Sequence, residues 1–181
     1  MTSNTARFFV AILSFFATSL AYGETSQRTF ALPENGRLLM MVPTEWKSEV
    51  QQPANQTPPT IAIAPKDGPA FEILISVIPT ASQNADILSD ASMHAKVAAA
   101  AQAALTQSVE RDLPLKEIKG SSAHGFFFTA TDRAPNPGEF KFLTQGMLRA
   151  GTLALLFTIL SNDGQEPVVK TALEMLGSAG Q

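Results

Sequence analysis

Residues 122–160 set the tightest limit on what this chain can fold into. Three runs rich in β-branched and aromatic residues follow one another there: 122–132, containing Phe126, Phe127 and Phe128, then 140–149, then 152–160. Such side chains suit a pleated, half-buried surface, so the runs read as consecutive strands. Only Ala150 and Gly151 separate the last two, short enough for a tight hairpin in which Gly151 takes a positive φ. Counting outward from that loop pairs Leu148 with Leu153, Gly146 with Leu155, Thr144 with Phe157 and Phe142 with Ile159. Alternation on a period of two makes this set one dry face and leaves a mixed face with Met147, Gln145, Leu143, Ala154 and Leu156. Phe126 and Phe128 join one face and Phe127 the other. Residues 153–160 are apolar on both sides, as in a central strand covered twice.

The first 23 residues belong outside any fold argument. Arg7 supplies a positive start, residues 8–21 an apolar core, and Ala21 and Gly23 the small residues of a cleavage site. The apolar run falls short of the roughly 20 residues that a bilayer span needs. The expectation is a signal peptide over 1–23, a single α+β domain over 24–181, and a periplasmic or secreted location in a bacterium. Zero Cys rules out a disulfide framework and a lipid-modified N-terminal Cys. Removing the leader takes away Arg7 and no acid, so the remainder is slightly acidic. No basic run interleaves with aromatics, which argues against a nucleic-acid partner. No second segment reaches membrane length, so no stable span is expected once the signal is cut.

Taken in order, the chain offers short strands at 28–32 and 37–42, then Pro43-Thr44-Glu45-Trp46, then a proline-rich loop over 53–59. Strands at 60–64 and 71–78 follow, joined by a linker whose Asp67-Gly68 signals a hairpin. Residues 84–111 change period. Leu88, Ala91, Ala95, Ala98, Gln102, Leu105 and Val109 recur at steps of three and four, which predicts one long helix. Asn84 caps it, Asp86 favours its first turn and Pro114 ends it. At 1.5 Å per residue it would reach about 39 Å, enough to cross a small sheet. A strand at 115–119, the three runs above and a closing helix over 166–176 complete the chain, with Gly177 as the stop. The order predicts an α+β fold: an antiparallel sheet of about 7 strands covered by one long and one short helix.

A leader, then Gly36-Arg-Leu-Leu-Met-Met-Val-Pro-Thr-Glu-Trp46, then strands, one long helix, a three-strand block and a closing helix resembles the PsbP-like superfamily. The strand running into Pro-x-x-Trp, Pro43 to Trp46, is the shared local pattern, and the order of elements carries the rest over residues 28–178. The resemblance implies an α/β/α sandwich that acts by binding a protein partner, without enzymatic activity. It brings no catalytic residues. No counterpart of the photosystem members' interaction segments is present, so a photosynthetic role is not expected.

Chemistry-bearing residues are sparse. His94 and His124 lack the third and fourth ligands a zinc site needs, and both read as surface or capping residues. Ser121, Ser122 and His124 lie so close along one strand that their proximity is no evidence of a nucleophile–base pair, and no nucleophile elbow or phosphate-binding glycine loop occurs. No cofactor and no metal is expected. Candidate binding residues are Asp132, Arg133 and Glu139, on a proline-constrained loop at the end of the core strands, and Trp46, the one Trp. Loops on a rigid sheet often carry binding groups, and Trp is favoured at interface hot spots. An ordinary solvated loop and a core-closing aromatic are the bland alternatives. The expected function is a secreted or periplasmic, non-enzymatic binding or protein-interaction module, with a periplasmic or envelope protein as partner. The alternative is a carrier of a small apolar ligand or lipid, suggested by twelve Phe and six Met, although such residues also simply fill cores.

Overall fold

The computed structural model describes residues 23–32, 36–52, 58–79 and 86–181. Residues 1–22 of the expected 1–23 leader, the Asn84 cap and the 53–57 part of the proline loop lie outside the described residues. Among those described are strands β1 (Thr25–Leu32), β2 (Gly36–Pro43), β3 (Trp46–Gln51), β4 (Thr60–Pro65) and β5 (Glu72–Pro79), then helix α1 (Asp90–Ala104). Strands β6 (Lys116–Lys119), β7 (Ala123–Thr131), β8 (Phe142–Ala150) and β9 (Leu153–Ser161) precede helix α2 (Glu166–Gly177). The α+β class and a seven-stranded antiparallel sheet with two helices are as the sequence implies. That sheet runs β3-β4-β5-β9-β8-β7-β6, with β9 at its centre, while β1 and β2 form a separate two-stranded ribbon. The ribbon and β3 depart from expectation. β3 alternates Trp46 and Ser48 with Lys47 and Glu49, a polar edge pattern that apolar content alone does not flag.

The hairpin of β8 and β9 forms where expected, but its loop is Gly151-Thr152 rather than Ala150-Gly151. Gly151 therefore occupies the first loop position, at φ +60°, where Ala150 would have been strained. Moving the loop by one residue slides the pairing by two: Leu148 faces Leu155 and Gly146 faces Phe157. A slide of two keeps every side chain on its predicted face. Gly146 lies between Phe127 and Phe157 on neighbouring strands, and a Cβ there would come within 2.6 Å of the Phe157 ring and 2.3 Å of the Phe126 carbonyl oxygen. The absent side chain makes room for the two rings.

Two cores follow from the alternation. On one face Phe127, Leu148, Leu155, Phe157 and Ile159 pack with Ile61, Ile63, Ile73 and Ile75, under the β1–β2 ribbon and Met175 and Leu176 of α2. Gly180 fastens this layer, exchanging backbone hydrogen bonds with Leu39 of β2 at 2.8 and 3.0 Å. On the other face Phe126, Phe128, Ala130, Met147 and Ala154 pack under Met93, Val97 and Ala101 of α1.

α1 is shorter than the sequence suggests and turns a different stripe inward. Ser89 caps it, accepting from the Ser92 N–H at 3.2 Å, and Asp90 rather than Asp86 sits in the first turn. Its buried line is Met93, Val97 and Ala101, whereas Ala91, Ala95 and Gln102 are exposed. Alanines occur all round this helix, so the larger Met93 and Val97 decide which side burial favours. The helix ends ten residues before Pro114 because the chain is drawn off to β7: the Val109 N–H donates to Thr131 at 2.9 Å and the Arg133 N–H to Gln107 at 2.9 Å. At 15 residues it is about 22 Å long. It runs beside β7, from Asp90 near His124 to the Ser108–Asp132 bridge, so it lies along the strands and does not cross them.

Gly146→Ala tests the aromatic slot between Phe127 and Phe157. We expect a loss of about 1–3 kcal/mol in denaturant unfolding, the usual cost of overpacking a core. An unchanged midpoint would mean that the β7–β8–β9 packing is looser than described.

Candidate functional site

A helix about 10 Å across covers two strands of a sheet roughly 29 Å wide. α1 therefore leaves much of its face of the sheet uncovered. The consequence is sharpest at β9: Leu155 and Phe157 are buried, and Ala154, on the α1 side, is 0% exposed, but Leu156 two residues on is 40% exposed. Beside α1 at this point lies a hollow of about 370 Å³, with Leu74, Ser76, Gln145, Met147 and Leu156 in its lining and Lys96, Val97 and Ala100 on its helical wall. A second hollow of about 250 Å³ involves Ala104, Gln107, Leu143 and Leu160. The two follow α1 in order, Lys96 to Gln107, as β9 advances from Leu156 to Leu160.

Of the sequence-derived candidates, Asp132 is among the residues that line the second hollow, whereas Trp46, Arg133 and Glu139 line neither. Trp46 is 4% exposed and meets the Phe71 ring edge-on, centroids 4.9 Å apart. It stands in edge strand β3, on the ribbon-covered side, far from the β7–β8 loop. Within that loop the Asp132 carboxylate accepts from the Ala134 N–H at 2.9 Å, and Glu139 accepts from the Asn136 backbone and side-chain N–H groups at 3.0 and 2.9 Å. The Asn136 side-chain and backbone hydrogen bonds lower the Glu139 pKa. Arg133 donates from its guanidinium to the Ser108 carbonyl at 2.7 Å. The three thus hold their own loop and the end of α1, and they are not brought together with Trp46.

Glu110 is the ionisable residue that sequence reading missed. Its carboxylate accepts from the Ser108 hydroxyl, from the Thr131 hydroxyl at 2.6 Å and from the Thr131 N–H at 3.0 Å. Partial burial pushes its pKa up, but these hydrogen bonds outweigh it and hold the group at about 2 instead of 4.5. A Glu two residues beyond a Ser, in a stretch read as helix, gave no sign of such a role. The carboxylate staples the chain after α1 to the end of β7.

The two histidines, distant in sequence, both pack edge-on against Phe126, His94 at 5.2 Å and His124 at 5.4 Å between ring centroids. His124 Nδ1 lies 3.2 Å from Asp90 Oδ1, while Ser122 lies beside Gly180. No trio of His, Asp and Glu side chains among the described residues is placed to hold a metal ion. Among them, too, no helix is long and apolar enough to cross a membrane. Fold and surface together define an α+β domain with one sheet face half covered. No protein-family model matches the chain, and no curated protein matches it.

The Glu110 staple carries a pH signature. Because the folded pKa lies below the ordinary 4.5, the contribution is complete above that value and is lost as the pH falls toward 2. We expect Glu110→Gln to cost about 2 kcal/mol at neutral pH, solvent screening trimming the full shift, and to cost little near pH 2. Denaturant titrations at the two pH values check this. Equal losses at both would assign the effect to packing.

Proposed function

We propose that this chain is an exported binding module of the PsbP-like kind, without chemistry of its own, that holds its ligand or partner on the uncovered part of the sheet beside α1. The observation that carries the reading is Leu156. A large apolar side chain in the central strand of a seven-stranded sheet is 40% exposed while its neighbours along the strand are buried. An antiparallel sheet can leave one face to solvent, but that face is then ordinarily polar by alternation, whereas a strand apolar on both sides calls for cover. Apolar surface beside a hollow of about 370 Å³ with a few polar groups is the ordinary make-up of a binding cleft. The helix on one face and the helix and ribbon on the other accord with the sandwich that the resemblance implies. Export rests on the leader-like residues 1–23, and the expected partner class follows from it: a molecule of the periplasm or cell envelope.

Hydrogen–deuterium exchange tests the location. The protein is measured alone, with the small-molecule filtrate of an envelope extract, and with the extract's protein fraction. We expect slowed exchange at residues 155–160 and 96–107, and little change in α2. Slowing by the filtrate would favour the carrier reading, and slowing by the protein fraction the interaction module. Protection confined to α2 or the β1–β2 ribbon would contradict the assignment.

A further inference from the structure

Resting on that reading of the α1 face, we propose that its ligand is a free single-chain alkyl carboxylate, lying along α1 with its head at Lys96. Three observations carry this. First, Lys96 is the single charged residue among the twelve that line the larger hollow. It is exposed, and among the described residues it has no ion-pair partner. A cation at the lip of a hollow with no other charged residue complements an anion whose remainder is apolar, and the charged residues of the second hollow, Asp132 and Lys141, stand toward the far end.

Second, the two hollows, which share no lining residue, succeed one another along α1 with the reach of a chain. On the α1 side stand Val97 and Ala100 in the first and Ala104 in the second, short side chains that leave room beside the helix, and Met147 and Leu156 line the first and Leu160 the second. From Lys96 to Gln107 the helix and its trailing turn advance about 16 Å at 1.5 Å per residue, close to an extended dodecanoate. The hollows lie along one side of α1, which suits one alkyl chain better than the paired chains of a phospholipid.

Third, the polar groups in the floor are spoken for or are mild. The Thr60 and Ser76 hydroxyls bond each other at 3.1 Å, and among the described residues no buried side-chain polar atom lacks a partner. At the far end Lys141 is held by Asp163 at 2.8 Å and by the face of Phe142, so the cation there is already balanced. The head therefore goes to Lys96 and the tail toward Leu160.

Isothermal titration of the delipidated, processed protein with octanoate, decanoate, dodecanoate and hexadecanoate tests the assignment, with the matched alcohols and alkyl trimethylammonium ions as controls. We expect affinity to rise by up to about fourfold per added methylene and to level off once the chain outruns the hollows. The alcohols should bind about tenfold more weakly than the acids, as loss of a charge-assisted contact implies. Lys96→Glu should remove that margin for the acids and leave the alcohols unchanged. Leu156→Asp should weaken both, while Arg37→Glu, on the ribbon, should change neither. Absence of saturable binding by any carboxylate would overturn the proposal, as would equal binding of acid, alcohol and ammonium with Lys96→Glu unchanged. If no carboxylate binds but an envelope extract still slows exchange at 155–160 and 96–107, the ligand class is wrong and the binding face stands. If neither occurs, both readings fall.

Discussion

Alternate side chains of β7, β8 and β9 are committed to opposite faces of one sheet, and the two cores depend on that division. Phe127 and Phe157 meet over Gly146 on one side, while Phe126, Phe128 and Met147 take α1 on the other. Because the side-chain period is two, no one-residue slip of these strands can preserve either core. The ribbon of β1 and β2 and helix α2 have an apolar bed only because the odd positions of β9 and of β7 point the same way. Phe128 is 0% exposed and Phe157 1%, so both beds are fully used. Residues between them on the α1 side, Leu156 above all, are where cover runs out.

The length of α1 decides how far that cover extends. Local propensity favours continuing past Ala104, yet the backbone of residues 107–109 finds partners in β7 and the Glu110 carboxylate collects the hydroxyls of Ser108 and Thr131. Hydrogen bonds to a charged acceptor are stronger than neutral ones, which tips the contest against further helical turns. Thr106 assists by bonding back to the Ala103 carbonyl at 3.0 Å, a contact that suits a helix end. The staple and the hollows are therefore linked, since the turn that ends α1 also forms one side of the second hollow.

Much of this architecture is legible in the residues themselves. The period-two alternation of β7 to β9, the Gly151 turn, the Asp67-Gly68 linker and the α2 boundaries all rest on short-range rules. The faces of β8 and β9 read correctly even though the register moved by two, because parity is insensitive to that error. What could not be read depends on distant contacts. The stripe of α1 is hidden by alanines on every side, and its end is set by a strand more than twenty residues away. Trp46 illustrates an ambiguity of another kind: a large aromatic reads equally as core-closing or as an anchor, and its burial against Phe71 is visible only in the fold. Lys96 carries no local mark at all, and its significance comes from the absence of other charges around the hollow.

Thiol accessibility gives the most direct measurement of the central claim, that cover of the sheet stops between two positions on one strand. The chain contains no Cys, so single substitutions Ala154→Cys and Leu156→Cys can be compared on the same face of β9 without interference. Under native conditions the thiol at 156 should react with a maleimide at close to the rate of an exposed thiol, and the thiol at 154 at least about a hundredfold more slowly, as local opening against buried packing requires. Equal protection at both positions would contradict the account, because it would mean that the face beside α1 is closed.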